Sequence, residues 1–240
     1  MLGGDYEIVE HLTCSPDGKR LAFPRRPPSP QTSEPWKRPE QLSVVNVDGT
    51  NLRQLTSYDT GSLYYPVWSP DGKHIAFEHG ARGGIKALTI VSVDDGVTRD
   101  IVRGGTPEDR FFGKSWSPDG KYIAFPSGAG ESVRTLTLVS VDDGATREIF
   151  RSDSPQDSFS EACWSRDGSR IASLSGGDRL RIGQIGNGQY DTFGLGIEGP
   201  TGLRWSPDET KMLFCTWVDT KQLAIMENFL PAAVLAAESE

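Results

Sequence analysis

One decapeptide, Trp68-Ser-Pro-Asp-Gly-Lys-His-Ile-Ala-Phe77, sets the terms for this chain, because it comes back four more times in altered form. It recurs as Trp116-Ser-Pro-Asp-Gly-Lys-Tyr-Ile-Ala-Phe125, Trp164-Ser-Arg-Asp-Gly-Ser-Arg-Ile-Ala-Ser173 and Trp205-Ser-Pro-Asp-Glu-Thr-Lys-Met-Leu-Phe214. The earliest copy is Cys14-Ser-Pro-Asp-Gly-Lys-Arg-Leu-Ala-Phe23. Successive starts lie 54, 48, 48 and 41 residues apart. A period of roughly 40–50 residues in strand-like sequence is the mark of propeller blades. A second segment keeps step: Leu88-Thr-Ile-Val-Ser-Val-Asp-Asp-Gly96 matches Leu136-Thr-Leu-Val-Ser-Val-Asp-Asp-Gly144 at a spacing of 48.

Each repeat reads as four short strands, which in the second repeat fall near 62–68, 73–78, 86–93 and 97–103. These runs are rich in Val, Ile, Leu, Thr and aromatics and are bounded by turn residues. Within Ser-Pro-Asp-Gly, proline presets the φ of the first central position of a type I turn, aspartate bonds nearby amides, and glycine takes the left-handed closing position. Asp17, Asp71, Asp119, Asp167 and Asp208 share that context, so they read as turn residues rather than catalytic carboxylates. The tryptophans read as packing between blades. Ile75 and Phe77 face one side of their strand and Ala76 the other, where a neighbouring sheet needs room.

At these residues the chain resembles the TolB-type, WD-repeat-like β-propeller family, whose hallmark is a W-S-P-D-G-K-x-I-A-F hairpin in every blade. The resemblance covers roughly 8–227. It implies an all-β fold, a β-propeller with five blades of about four antiparallel strands, and it leaves function open because propellers host many unrelated activities. The expected organisation is a single domain over 1–240, with repeats near 5–57, 58–104, 105–153, 154–196 and 197–230 and a tail at 231–240. Two departures matter: Arg166 replaces proline, and Glu209-Thr210 replaces Gly-Lys. The last copy offers strands only at 202–206, 211–216 and 222–227 before Pro231 and an Ala/Leu run that favours a short helix. The last blade is therefore expected to be incomplete, with closure of the ring an open question. With little sequence ahead of the first inner strand, the expectation is that an upstream segment once supplied a strand, further blades or an export signal.

Composition narrows the function classes. The net charge of −8 over 240 residues disfavours a nucleic-acid partner, since an acidic surface repels phosphates. No run approaches 18 apolar residues, so no membrane insertion is expected. Cys14, Cys163 and Cys215 are too scattered for a disulfide framework or zinc site and read as small buried hydrophobes. The first residues lack the basic and apolar regions of a signal peptide, which implies a cytoplasmic protein as written, or a periplasmic one if an upstream export signal has been lost.

Catalytic signatures are nearly absent. There is no G-x-S-x-G elbow and no phosphate loop. The histidines are His11, His74 and His79, and His74 aligns with Arg20, Tyr122, Arg170 and Lys211, a column that describes a polar strand start and not a ligand. The family's oligogalacturonate lyases use a histidine-rich metal site, which these histidines do not reproduce. Asp48-Gly49, Asp94-Asp95-Gly96 and Asp142-Asp143-Gly144 are hairpin compositions rather than calcium loops. No catalytic residue, cofactor or metal is expected.

Two features exceed the bland repeat. Residues 24–39 hold six prolines together with Arg25, Arg26, Trp36, Lys37 and Arg38, a basic segment on an acidic chain that suits a partner-contacting loop. Aromatics gather on the approaches to the inner strands: Tyr58, Tyr64, Tyr65, Phe111, Phe112 and Phe159, with Glu108, Asp109, Arg110 and Asp157 beside them. Such a rim suits a protein or peptide; the competing reading is packing between blades. The favoured expectation is a monomeric, non-catalytic platform that binds a protein or peptide at one face, through loops 57–64, 104–112 and 152–159. The alternatives are a propeller-type glycan lyase or hydrolase working at the central channel, and a sensor module cut from a longer signalling protein.

Overall fold

The computed structural model describes residues 7–8, 11–26, 38–81, 83–128, 135–152, 158–175, 177–186, 188–197, 199–218 and 220–227. Among them every regular element is a strand. In blade 1, β1 (Glu7–Ile8) and β2 (Thr13–Cys14) both pair with β3 (Arg20–Arg26) and together form a broken inner strand; β4 (Gln41–Asn46) and β5 (Arg53–Gln54) follow. Blade 2 is β6 (Ser62–Trp68), β7 (His74–Gly80), β8 (Lys86–Ser92) and β9 (Thr98–Arg103). Blade 3 is β10 (Ser115–Trp116), β11 (Tyr122–Ser127), β12 (Thr135–Ser140) and β13 (Thr146–Arg151). Blade 4 is β14 (Phe159–Trp164), β15 (Arg170–Ser175), β16 (Arg179–Gln184) and β17 (Tyr190–Gly194). Blade 5 has three described strands, β18 (Thr201–Trp205), β19 (Lys211–Val218) and β20 (Thr220–Glu227). All pairings are antiparallel meanders, so each repeat is one blade of a five-bladed β-propeller, as the repeats imply.

The turn aspartates do what their context predicts. In all five copies the Asp Oδ1 accepts from the preceding serine hydroxyl at 2.6 Å (Ser15, Ser69, Ser117, Ser165 and Ser206). It also accepts from the backbone amide two residues on, as in Asp17 with Lys19 N at 3.1 Å. The serine oxygen then receives the next strand's first amide at 2.9 Å in every copy. Each turn thus closes a three-way bond that fixes the hairpin without any tertiary contact.

The tryptophans join the blades. Trp68 Nε1 donates to Thr13 O, Trp116 to Val67 O, Trp164 to Ser115 O and Trp205 to Cys163 O, at 3.1–3.4 Å. In each case the acceptor is the residue one before the equivalent position of the preceding blade. The alanine of the preceding blade's middle strand provides the space: Ala22 clusters with Trp68, Ala76 with Trp116, Ala124 with Trp164, and Ala172 belongs to the cluster against which Trp205 packs. Four such apolar clusters sit between consecutive blades. Among the described residues no fifth cluster links blade 5 to blade 1.

The two departures from the repeat meet in space. Glu209 occupies the glycine position of its turn with φ +58°, a region that costs an L-residue roughly 1–2 kcal/mol. Its carboxylate is anchored on blade 4 by Arg170 Nη2 at 2.8 Å and by the backbone N–H of Arg166. A proline at 166 would have no N–H to give. In the first interface the equivalent arginine, Arg20, reaches instead to the Gly72 carbonyl at 3.1 Å and covers Trp68.

Cysteine placement corrects the sequence reading. Cys14 is exposed, and Cys163 and Cys215 are half-buried, all as free thiols. Cys14 holds the tryptophan position of the blade that has no preceding neighbour among the described residues, so nothing buries it. Cys163 is covered enough that burial raises its thiol pKa.

Candidate functional site: the hub end of blades 2 and 3

The inner strand of each blade is irregular three residues before its tryptophan position. His11 (φ +85°), Tyr65 (φ +53°), Gly113 (φ +58°) and Gly202 (φ +70°) all take the left-handed region there. Register shifts accompany it in β6 and β18, and β14 carries a register shift without the left-handed residue. A bulge of this kind re-aims the side chains that precede it. Two of the four positions are not glycine, and their side chains are in contact: the His11 and Tyr65 ring centroids lie 4.2 Å apart, tilted by 45°. At Gly113 the reason for glycine is contact as well as φ. A Cβ there would overlap the Ser160 carbonyl, because the Gly113 carbonyl accepts from Ala162 N of the next blade at 2.9 Å.

Two buried carboxylates, Glu40 and Glu78, and the half-buried Glu161 lace the same end of the blades together. Glu40 receives Leu63 N at 2.8 Å and pairs with Arg26 Nη2 at 2.6 Å. Glu78 receives Phe111 N at 2.6 Å, with Arg110 Nη1 at 3.7 Å from its other oxygen. Glu161 receives Gly202 N at 3.0 Å and Leu203 N at 2.9 Å. Each carboxylate is thus satisfied by amides of the following inner strand, which offsets the cost of burying it.

The segment 104–114 is the most elaborately held of these approaches. Asp109 Oδ2 caps the turn by accepting from Gly105 N at 2.7 Å and Thr106 N at 3.0 Å. Lys86 Nζ donates to Pro107 O at 3.2 Å, and burial, followed by the nearby Arg110, lowers its pKa. Lys114 is buried and donates to Phe111 O at 2.9 Å; burial brings its pKa down to about 7 against an opposing pull from Glu78. Its Nζ also lies 5.6 Å from the Tyr65 ring centroid, so it connects blade 3 to the aromatic pair Tyr64–Tyr65. Beside this segment, between blades 2 and 3, a cleft of about 330 Å³ is lined by Arg103, Asp109, Arg110, Phe125, Ser127 and Glu148, among others. Arg110 stands at its edge with 47% of its side chain exposed.

The residues singled out from sequence divide on this scaffold. Tyr64, Tyr65, Asp109, Arg110 and Phe112 come together at the hub end of blades 2 and 3, with Tyr65 43% exposed. Phe111 and Phe159 do not form a rim. They are 3% and 1% exposed, in the clusters between blades 2 and 3 and between blades 3 and 4, because the residue five before the tryptophan points into the interface. Tyr58 is half-buried and stacks on His79 at 3.7 Å, anchored through its backbone to Gln41. Arg25 and Arg26 belong to strand β3 and not to a loop. Arg25 is buried and Arg26 is paired with Glu40, so neither forms an exposed basic patch. Trp36 and Asp157 lie outside the described residues.

Glu40, Glu78, Glu161 and Lys114 were not among the residues read from sequence. Two had a signal. Lys114 stands in a column otherwise filled by Leu12, Pro66, Ala162 and Leu203, and Glu78 in one filled by Pro24, Pro126, Leu174 and Cys215. A lone charge in an apolar column of a repeat marks a specific partner.

No family model matches the chain. Dipeptidyl-peptidase 5 of Porphyromonas gingivalis is 33% identical over 78 residues, which is 32% of this chain and 11% of that protein. Among solved structures, an oligogalacturonate lyase in complex with manganese is similar with a TM-score of 0.74 at 15% identity, over 97% of this chain and 68% of that one. TolB from Acinetobacter baumannii is similar with a TM-score of 0.65 at 19% identity, over 88% of this chain and 50% of that one. The chain therefore spans about a tenth of the curated relative it matches. These likenesses establish the β-propeller fold, in company that includes both TolB and enzymes. Among the described residues no three His, Cys, Asp or Glu side chains form a group that could hold a metal ion; His11 packs tilted against Tyr65 and His79 is stacked on Tyr58.

Proposed function

We propose that this chain is a non-catalytic propeller that recognises a protein or peptide partner on the face where segments 57–64 and 104–112 enter the inner strands. The observation that carries this reading is the combination at Arg110. An exposed guanidinium sits at the mouth of a cleft, and the segment that bears it is fixed from behind by Glu78, Lys86, Lys114 and Asp109. A rigidly backed arginine flanked by half-exposed aromatics is the composition of an interface anchor. Arg110→Ala and Tyr65→Ala, separately and together, should abolish capture of the native partner while leaving the melting temperature within a few degrees of the parent. Undiminished capture by the double variant rejects this face.

A second reading has one observation behind it, the 78-residue match to a dipeptidyl-peptidase. On that reading the propeller serves a longer hydrolase and the chemistry is performed by residues outside this sequence. The gene's flanking sequence separates the two. An in-frame segment carrying a G-x-S-x-G elbow supports the hydrolase reading and overturns the stand-alone platform. Turnover by the purified chain on a polysaccharide panel would overturn both in favour of a propeller lyase.

A further inference from the structure

We propose that the cavity between blades 3 and 4, at the turn end of their joint, is a receptor for a guanidinium group, which stacks on the Trp164 indole and donates to the Gly168 carbonyl. The cavity holds about 430 Å³ and is lined by Asp119, Tyr122, Arg147, Trp164, Asp167 and Gly168, among others. Two other joints of the chain show what this position accepts. Between blades 1 and 2, the Arg20 guanidinium lies 4.9 Å from the Trp68 ring centroid and donates to Gly72 O at 3.1 Å. Between blades 4 and 5, Arg170 lies 5.1 Å from the Trp205 ring centroid and meets Glu209, which stands at the position of Gly72. A planar cation over an indole face is a favourable pairing, the more so where water is partly excluded. In the repeat, Tyr122 stands where Arg20 and Arg170 stand, and Trp164 and Gly168 stand where Trp68 and Gly72 do.

Tyr122 does not take the arginine's place. It is 41% exposed. A Cβ on Gly72 would meet Arg20 Nη2 at 3.4 Å, whereas one on Gly168 would meet only Pro118 within 4 Å. A second clasp is missing from the same joint. Arg53 and Arg99 donate to carbonyls of the following blade, at Asp94 (2.8 Å) and Asp142 (3.2 Å). Their equivalent, Arg147, makes no such bond among the described residues and lines the cavity together with Ile185. The joint between blades 2 and 3 has His74 at the arginine position but keeps the clasp through Arg99. Arg147 does not exclude a second cation, because Arg20 and Arg53 fill both positions of the first joint together. The turn carboxylates favour one. The Ser117 hydroxyl lowers the pKa of Asp119, and at Asp167 burial is outweighed by bonds from Ser165 and Ser169, so both stay charged. Every lining residue belongs to blades 3 and 4, so the site is complete within residues 117–185. It lies where the inner strands leave their blades, whereas the Arg110 face lies where they enter, so each proposal can fail alone.

The test titrates the full chain with ethylguanidinium and with the blocked peptide acetyl-Gly-Arg-Gly-amide, following the Trp164 indole N–H and the Gly168 amide by NMR. Both probes should shift these two signals and saturate at or below about 10 mM, as one stacked cation with one carbonyl bond allows. Tighter binding of the peptide by about tenfold assigns the site to an arginine side chain of a partner, and equal binding assigns it to a free guanidinium compound; either result supports the receptor. The same peptide with citrulline in place of arginine keeps the shape without the charge and should bind on the order of tenfold more weakly. Tyr122→Arg should fill the cavity from within, as Arg20 does in the first joint. That variant should melt no lower than the parent and should lose the response to both probes. Equal binding of the citrulline peptide overturns the proposal. So does an unchanged response in Tyr122→Arg, or a response at Gly105 and Phe111 of the Arg110 face in place of Trp164 and Gly168.

Discussion

The four interfaces between consecutive blades and the faces of blades 1 and 5 that meet no neighbouring blade among the described residues are built from the same repeat, yet they use different side chains at the key pair of positions. Inside the array, an alanine on one blade makes room for a tryptophan on the next, and the indole N–H is spent on the first blade's inner strand. At these two faces both members are exchanged. Blade 5 carries Leu213 in place of the alanine, half-buried, and blade 1 carries Cys14 in place of the tryptophan, exposed. Leu12 beside it is 58% exposed, although Phe23 and Val45 deeper in blade 1 remain buried. The difference teaches that the tryptophan is not a requirement of the blade. It is a requirement of the joint, and the alanine is its other half.

The sharpest way to break that comparison is to remove one tryptophan and one cysteine. Trp164→Ala empties the joint between blades 3 and 4 and leaves Ser115 O without its donor. It should cost about 3–5 kcal/mol. Cys14→Ala deletes an exposed thiol and should cost under about 0.5 kcal/mol. Urea unfolding measures both, and comparable losses would show that the two positions are equivalent after all.

Two glycines at the same position of the repeat sharpen it next. Gly113 and Gly202 both have positive φ, but a Cβ on Gly113 would strike the backbone of blade 4, whereas on Gly202 it would meet only Cys215 Sγ at 3.8 Å. Gly202→Ala should cost the backbone strain alone, about 1–2 kcal/mol. Gly113→Ala adds a forced separation of two inner strands and should cost roughly 2–4 kcal/mol in total. Equal melting temperatures for the two variants would remove the case for close strand approach at the hub.

Lys114 predicts a pH dependence confined to one joint. Its folded pKa is about 7 against 10.5 for the ordinary lysine. Below about 7 both states hold the proton, and the folded state bears a buried charge. Between there and the ordinary value only the unfolded chain binds it, so stability rises with pH. The expected gain from pH 7 to 8 is about 1 kcal/mol. Lys114→Met should flatten that rise and be the more stable protein at pH 7. A parent whose stability is level across this range would contradict the burial of that charge.

What could be read from sequence follows the range of the interactions. The Ser-Asp turns were legible because their bonds close within five residues. The blade joints were legible in outline because tryptophan recurs in step with alanine. The hub was not, for two reasons. The left-handed kink at Gly113 and the register shift in β14 break the in–out alternation, so Phe111 and Phe159 turn into the joints instead of lining a rim. And Glu78 is met by Phe111 N and Lys114 by the Tyr65 ring, each tens of residues away, so only their oddness within the repeat column hinted at them.

The last test concerns the joint between blades 4 and 5, where the repeat has been rewritten rather than dropped. Arg20 in the first joint reaches a turn carbonyl at Gly72, whereas Arg170 in the last reaches a carboxylate at Glu209. The carboxylate is there because Glu209 accepts a strained φ, and it is held in place partly by an N–H that exists because residue 166 is not proline. Arg166→Pro alone should therefore lose about 1 kcal/mol, the worth of a typical hydrogen bond, since this one is exposed to solvent. Glu209→Gly alone relieves strain but strips the nearly buried Arg170 of its partner, for a net loss of about 1–2 kcal/mol. With both changes each of the two turns returns to Ser-Pro-Asp-Gly, and the proline at 166 has no carboxylate left to disappoint. The double variant should then be more stable than the sum of the singles predicts by about 1 kcal/mol. Additivity within about 0.3 kcal/mol would mean that the two departures are independent, and that the proximity of Arg166 N to Glu209 carries no energy.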